Sequence, residues 1–357
     1  MSLSVGIVGL PNAGKSTLFN ALLSRQIANC APYPFCTIEP NIGVVEVPDE
    51  RLAILAKIVN TEKLVPAIVE FKDIAGLVAG ASKGEGLGNK FLANIRECQA
   101  IVHVLRAFKD PNVARESEVN PLADFEIVKT ELCLADLQTL EKQQPVNPSV
   151  ATKDDIKRWE TILKLRKILE QGIEVRKEKW DEDEQKIINT LFLLTAKPAL
   201  FVLNIDEEEI IAEPEKMKQK FGFTEEIIPI CAKIEMELAE LNPEERKNYL
   251  KELGLRESGL EKLIKKGYGV LGLQTFLTAG EKEVRAWTIH QGDTAPQAAG
   301  VIHTDFEKGF IKAQVCSYND FVKYSGWKGA GDAGKVRLEG KGYLMKEGDV
   351  VEFKFNL

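Results

Sequence analysis

The chain has 357 residues, 44% of them hydrophobic and 28% charged, a balance typical of a globular protein with room for about two or three domains. Its 47 basic and 54 acidic side chains leave a net charge of −7, which excludes a global basic field that would draw it to nucleic acid or an anionic membrane. The six cysteines form no C-x-x-C pair, which argues against a zinc site or a disulfide framework and for a reducing cytoplasm. No leader segment is expected, because a strand pattern begins almost at once. The longest apolar run, residues 191–203, is broken by Lys197-Pro198 and is too short to span a membrane.

Val5-Gly6-Ile7-Val8 predicts a short buried strand. Residues 9–16 follow as Gly-Leu-Pro-Asn-Ala-Gly-Lys-Ser, which fits the P-loop pattern G-x-x-x-x-G-K-[ST]. Thr17-Leu-Phe-Asn-Ala-Leu-Leu23 then continues as a helix. A strand, a Gly-rich turn and a helix N-terminus make a phosphate cradle, with backbone N–H groups and the helix dipole facing the anion. Asn12, Ala13, Gly14, Lys15, Ser16 and Thr17 are therefore the predicted phosphate-side contacts. Lys15 is expected to reach the β- and γ-phosphates and the Ser16 hydroxyl to ligate Mg²⁺.

Residues 31–41 carry three prolines around Thr37 and read as a loop. Strands are predicted at 42–47 and 68–73, a loop with five glycines at 75–88, a helix at 91–97 and a buried strand at 100–105. This alternation implies a mostly parallel sheet with helices on both faces. Asp73-Ile-Ala-Gly76 fits the D-x-x-G pattern of GTPase-type folds. Asp73 is expected to hold Mg²⁺ together with Ser16 and Thr37, and the Gly76 amide to meet the γ-phosphate; Lys15 and Gly76 are the predicted catalytic pair. Leu77 follows, where Ras-like enzymes place a glutamine to orient water, so hydrolysis is expected to be slow. Arg25, Arg96, Arg106 and Arg115 are open candidates for a cation supplied in cis. His103, in an apolar strand, reads as a core residue with its ring satisfied.

From Asn120-Pro121, a helix start, the alternation stops. Phe125, Val128, Leu132 and Ala135 mark one helix; Ile156, Trp159, Ile162, Leu165 and Leu169 mark a second. Together they predict a protruding antiparallel hairpin inserted at 121–190. Strands resume at 199–203 and 227–231. Asn204-Ile205-Asp206-Glu207 stands where guanine readers carry N-K-x-D. Ile205 replaces the lysine, and Glu207 replaces the aspartate with a carboxylate one methylene too far out. The Asn204 amide is expected to match adenine in part, with Ile205 and Phe108 as apolar walls. ATP is therefore expected to bind more tightly than GTP. Beyond residue 273 the pattern changes to an alternating strand at 284–289, a turn at Gln291-Gly-Asp-Thr, a short helix around 298–306 and a closing strand at 350–355.

Residues 76–92, Gly-Leu-Val-Ala-Gly-Ala-Ser-Lys-Gly-Glu-Gly-Leu-Gly-Asn-Lys-Phe-Leu, closely resemble the second switch of Obg-like P-loop proteins. The run from Asn12 to Ser16 and Pro34-Phe-Cys-Thr-Ile-Glu-Pro-Asn41 match as well. So do the helical insertion and residues 286–313, which look like a TGS domain, a β-grasp module. Over nearly its whole length the chain is similar to the YchF-type Obg-like ATPases. The resemblance implies a translation-associated, ribosome-binding ATPase with roles in stress responses. It also implies dependence on K⁺, with Asn12 at the matching position. It supports Phe108 and Ile205 at the base, and Cys231-Ala232-Lys233 resembles the S-A-K loop that touches the base in relatives. One departure is that residues 109–120 contain no histidine, which members often carry after R-x-F; Ala114 and Arg115 lie nearest.

The expected architecture is an α/β P-loop NTPase of GTPase-like type, its mostly parallel sheet formed by 1–120 and 191–278. A helical insertion occupies 121–190 and a C-terminal β-grasp (TGS) α+β domain 279–357. The expected function is a cytoplasmic nucleotide switch that slowly hydrolyses ATP with Mg²⁺ at a ribosomal RNA or protein partner, with no membrane or DNA partner. A GTP-selective relative, and a binding module tuned by nucleotide with incidental turnover, stay open as alternatives.

Overall fold

A computed structural model describes residues 4–29, 41–74, 87–109, 119–146 and 151–356. β1 (Ser4–Val8) ends at the P-loop, and α1 (Lys15–Asn29) begins on its lysine. β2 (Ile42–Glu46), α2 (Glu50–Val59), β3 (Leu64–Val65) and β4 (Ile68–Asp73) follow. Next come α3 (Leu87–Glu97), β5 (Ala100–Arg106), α4 (Pro121–Glu141), α5 (Lys153–Glu170) and α6 (Glu182–Leu191). β6 (Ala199–Asn204), α7 (Pro214–Phe221), β7 (Ile227–Ile230), α8 (Ala232–Glu240), α9 (Pro243–Glu252) and α10 (Gly259–Val270) continue the chain. It closes with β8 (Leu273–Ala279), β9 (Val284–His290), α11 (Ala295–Ile302), α12 (Thr304–Lys308), β10 (Phe310–Ser317), α13 (Tyr318–Lys323), α14 (Trp327–Asp332), β11 (Arg337–Glu339) and β12 (Asp349–Phe355).

The chain divides into two compact units, Met1–Val45 with Glu70–Leu263, and Glu46–Val69 with Ile264–Leu357. The first holds a six-stranded sheet in the order β2-β4-β1-β5-β6-β7, parallel from β4 through β7. Every residue of β1 and β5 is buried. That follows from their central places, where helices cover both faces, and it explains their unbroken apolar sequences. The P-loop, Asp73, Phe108, Asn204 and Cys231 all lie at or just past the carboxyl ends of neighbouring strands, where open α/β sheets bind ligands.

α4 starts as its sequence predicts, with the Asn120 side chain accepting from the Ala123 N–H at 3.0 Å and Pro121 in the first turn. Its first half does not protrude. Phe125 packs edge-on to His103 and Phe201, with ring centroids 5.4 and 5.1 Å away. Val128, Leu132 and Ala135 join Ile101 and Ile95 in the sheet's own core. Only the distal part, from Cys133 to Leu140, faces Ile162, Leu165 and Leu169 of α5 and Ile188 and Leu191 of α6. Of the predicted α5 stripe, Ile156 lies beyond this seam and is exposed. The insertion is therefore rooted in the α/β layer, because the apolar stripe of α4 is long enough to serve both packings.

The second unit holds a mixed sheet in the order β11-β10-β12-β8-β9-β3. β8 and β9, and β10 and β12, pair antiparallel, whereas β12 runs parallel to β8. Ala295, Ala298 and Ala299 of α11 pack over Phe276, Ile289, Val315 and Val351. Two hairpins joined by a helix crossing over a central parallel pair make the β-grasp. The expected turn is present: Asp293 accepts from the His290 N–H at 2.8 Å, and Thr294 caps α11 in a box with Gln297.

The domain boundaries differ from those expected in two places. Residues 46–69, predicted as part of the nucleotide domain, belong to the second unit. β3 adds to β9 there as a parallel edge strand, Leu64 opposite Val284, and Val284 N–H donates to Lys63 O at 3.0 Å. The C-terminal unit also begins at residue 264 rather than 279, because β8 is the partner of β9. Among the described residues, no helix is long and apolar enough to cross a membrane.

Candidate functional site

Gly14 is in the left-handed region at φ +89°, and a Cβ there would sit 2.1 Å from Asn204 Nδ2, so the turn admits only glycine. A Cβ on Gly9 would meet the Val104 carbonyl oxygen at 2.4 Å, so that position also excludes a side chain. Lys15 is buried at 7% exposure, and its ammonium donates to Leu10 O at 2.9 Å, folding the side chain back over the loop. Burial holds its pKa below the ordinary lysine value, with the nearby Asp73 charge opposing. Asp73 is pushed above the usual carboxylate range by burial, against the pull of Lys15 and a hydrogen bond from Ser16.

Ser16 Oγ donates to Asp73 Oδ2 at 3.4 Å. The other carboxylate oxygen, Oδ1, is buried and has no hydrogen-bond partner among the described residues. A hydroxyl and an unsatisfied carboxylate oxygen, side by side next to the phosphate lysine, are the hard oxygen donors that Mg²⁺ takes. The site fits that ion. Thr37 and Gly76, predicted to join it, lie outside the described residues, as do Leu77, Ala114 and Arg115.

At the opposite end of the P-loop is a cavity of about 760 Å³, large enough for a nucleoside. It brings together Asn12, Gly14, Thr17, Phe108, Asn204, Ile205, Glu207, Cys231 and Ala232, all of them predicted site residues. Lys233, from the expected S-A-K-like loop, also lines it, as do Lys109, Asp206 and Glu208, which were not singled out as site residues. Asp206 Oδ2 accepts from the Lys109 N–H at 3.1 Å, tying the loop after β5 to the loop after β6. An acidic residue just past a strand end was the signal that could have singled it out.

Several predicted roles change. The amide of Asn204, expected to meet adenine, is occupied within the protein: Nδ2 donates to Ala13 O and Oδ1 accepts from the Ala232 N–H, each at 3.1 Å. Asn204 is thus a strut between the P-loop and the loop after β7. Ile205 lines the cavity as expected, but at 2% exposure most of its side chain packs with Leu203, Ile227 and Ile234. Cys231 is buried in the same cluster, and burial pushes its thiol pKa up. Glu207 points to Lys233, 2.5 Å away. Phe108 remains the half-buried aromatic surface at the cavity.

Two of the candidate arginines are used in packing. Arg25 donates to Ser258 Oγ at 3.3 Å and pairs with Glu261 at 2.6 Å, pinning α1 to α10. Arg96 donates to Thr139 Oγ1 at 3.0 Å. His103 is fully buried, but neither ring nitrogen finds a partner among the described residues. It stacks on Phe201 at 5.2 Å as one more aromatic ring, so the expected satisfied histidine is corrected.

A GTPase-like parallel sheet, a P-loop with its Mg²⁺ oxygens and a nucleoside-sized cavity define a P-loop nucleoside-triphosphate-binding protein, here carrying a β-grasp unit. Residues 4–135 match a family described as 50S ribosome-binding GTPase, and residues 273–356 match the YchF GTPase C-terminal family, described as a protein of unknown function. "Ribosome-binding ATPase YchF" of Bacillus subtilis is 50% identical over 368 residues, and that of Haemophilus influenzae 49% over 366, each match covering 100% of both chains. The structure of the Schizosaccharomyces pombe YchF GTPase superposes with a TM-score of 0.87 at 38% identity, covering 99% of this chain and 98% of that one. The chain belongs to the YchF family.

Proposed function

We propose that the chain is a Mg²⁺-dependent ATP hydrolase that works as a nucleotide switch on the ribosome, in the cytoplasm. The observation that carries this reading is the cavity beside the P-loop, bounded by Phe108 and by the loop that starts at Asn204. It lacks the paired lysine and aspartate of a guanine reader. Ile205 presents only a small apolar surface there, and Glu207 is drawn toward Lys233. Glu207, which stands where the guanine-reading aspartate would, is thereby drawn away from the guanine N1–H and N2 amino group, and the Phe108 ring is left for any purine. The names of the bacterial relatives, ribosome-binding ATPases, support the same reading.

At the phosphates, Lys15 leaves the Leu10 carbonyl and turns to the β- and γ-oxygens. Its buried place strengthens that interaction by excluding water. Ser16 and Asp73 would hold Mg²⁺, with Thr37 the third ligand the sequence proposes, and the ion would supply positive charge to the phosphates. The Gly76 amide adds a hydrogen bond to the γ-phosphate. Without a glutamine at position 77 the attacking water is poorly held, so turnover is slow until K⁺ or the ribosome assists. For K⁺ the family resemblance proposes Asn12, which is exposed and has a left-handed backbone at φ 62°. Lys15→Ala should therefore weaken ATP binding by at least a hundredfold without lowering the melting temperature.

A GTP-preferring switch is the second reading, favoured by the description of the Schizosaccharomyces pombe protein as a GTPase. Single-turnover hydrolysis of ATP and of GTP, with and without purified ribosomes, tests the proposal. It requires slow ATP cleavage that ribosomes or K⁺ accelerate. Cleavage of GTP alone would favour the second reading.

A further inference from the structure

Arg106 is the last residue of β5 and is only 3% exposed. No carboxylate pairs with it among the described residues, and its Nη1 is buried without a partner there. Its contacts point in one direction. Nε donates to Phe108 O at 3.3 Å, and the guanidinium carbon lies 4.9 Å from the centroid of the Phe108 ring.

The backbone around Phe108 is already held on both sides. Ala107 N–H donates to Asn204 O at 2.8 Å, and Lys109 N–H donates to Asp206 Oδ2 at 3.1 Å. These bonds hold the backbone and do not themselves set the tilt of the ring. Arg106 adds a carbonyl bond and a cation over the ring. A cation attracted to one face of an aromatic ring fixes its tilt and leaves the other face for a ligand.

We propose that Arg106 is a positioning residue for the base of the bound nucleotide: it sets the tilt of the Phe108 ring, and through that ring the affinity for the purine. This rests on reading the cavity as the nucleotide site. The mode is stacking, which every base accepts because every base has a π-face. Arg106 therefore contributes affinity for purines generally, and discrimination between ATP and GTP lies with the loop after β6.

The test is a double-mutant cycle on the full chain, Arg106→Met and Phe108→Ala, singly and together. Dissociation constants for ATP and GTP are read by calorimetry, and the single-turnover rate is read at saturating ATP. Phe108→Ala should weaken both nucleotides about tenfold or more. Arg106→Met should weaken both about fivefold and leave the saturated rate unchanged. In the Phe108→Ala background it should change affinity by less than about twofold. Arg106→Lys, which keeps a cation, should recover part of the loss; paired with Phe108→Ala it also serves the cycle if the methionine variant does not fold. An equal loss with and without Phe108 would overturn the proposal, as would a slower saturated step at unchanged affinity, which would place Arg106 at the phosphates. If Phe108→Ala leaves both affinities intact, the nucleotide reading of the cavity fails first and the proposal falls with it.

Discussion

Asn204 illustrates how far a motif reaches. Its place at the end of β6 was legible from the apolar run before it, and so was its membership in the site. Its partners were not, because Ala13 lies 191 residues away and Ala232 lies 28 away, and only the folded sheet brings them together. The same holds for Ile205, whose burial depends on which way the strand end turns. With one N–H and the carbonyl oxygen of its amide held by the P-loop and the loop after β7, Asn204 should support any nucleotide equally. Asn204→Ala is expected to weaken ATP and GTP by a similar factor, on the order of tenfold, since it leaves the buried Ala232 N–H unpaired and frees the P-loop. A loss confined to ATP would return the residue to base reading. By contrast, Gly14 and Lys15 needed no tertiary knowledge, because the phosphate cradle is a local structure.

Helices with their own caps were legible as elements. α4 begins where Asn120-Pro121 announces it, and α5, legible from its apolar spacing, opens on a full capping box between Thr152 and Asp155. What α4 packs against was not, since an apolar stripe does not name its partner. Asp136, placed inside that stripe, is fully buried; its carboxylate accepts from Leu194 N–H and Thr195 N–H at 2.8 Å each and from the Thr195 hydroxyl at 2.7 Å. This joins α4 to the turn that leads into β6, and so to Asn204. Asp136→Ala would strand three buried donors and is expected to cost about 3 kcal/mol or more in urea unfolding. A loss below about 1 kcal/mol would show that water replaces the carboxylate. β3 was the least legible element: two residues long, it is defined only by pairing with β9 more than two hundred positions later.

At the scale of the molecule, His103 links the core to pH. Burial among apolar rings lowers its pKa from about 6.5 to about 3. The native state therefore stays neutral at that position, while the unfolded chain takes up a proton below about pH 6.5. Stability is intact above that value and falls as the pH drops toward about 3, by about 1.4 kcal/mol per pH unit from this residue alone. His103→Phe should remove that slope, so that wild type and variant diverge between pH 7.5 and pH 5.5. Parallel unfolding curves over that interval would show that the ring finds a proton acceptor.

The choice of base decides the proposed function. Mg²⁺, ATP and GTP are all compatible with the P-loop, and in the proposed reading the cavity beyond Gly14 chooses between the purines. Equilibrium competition between ATP and GTP for the full chain, with Mg²⁺ in excess, measures that choice directly. Clearly tighter binding of ATP is the predicted result. Tighter binding of GTP would mean that Glu207 leaves Lys233 to pair with guanine, and would contradict the account.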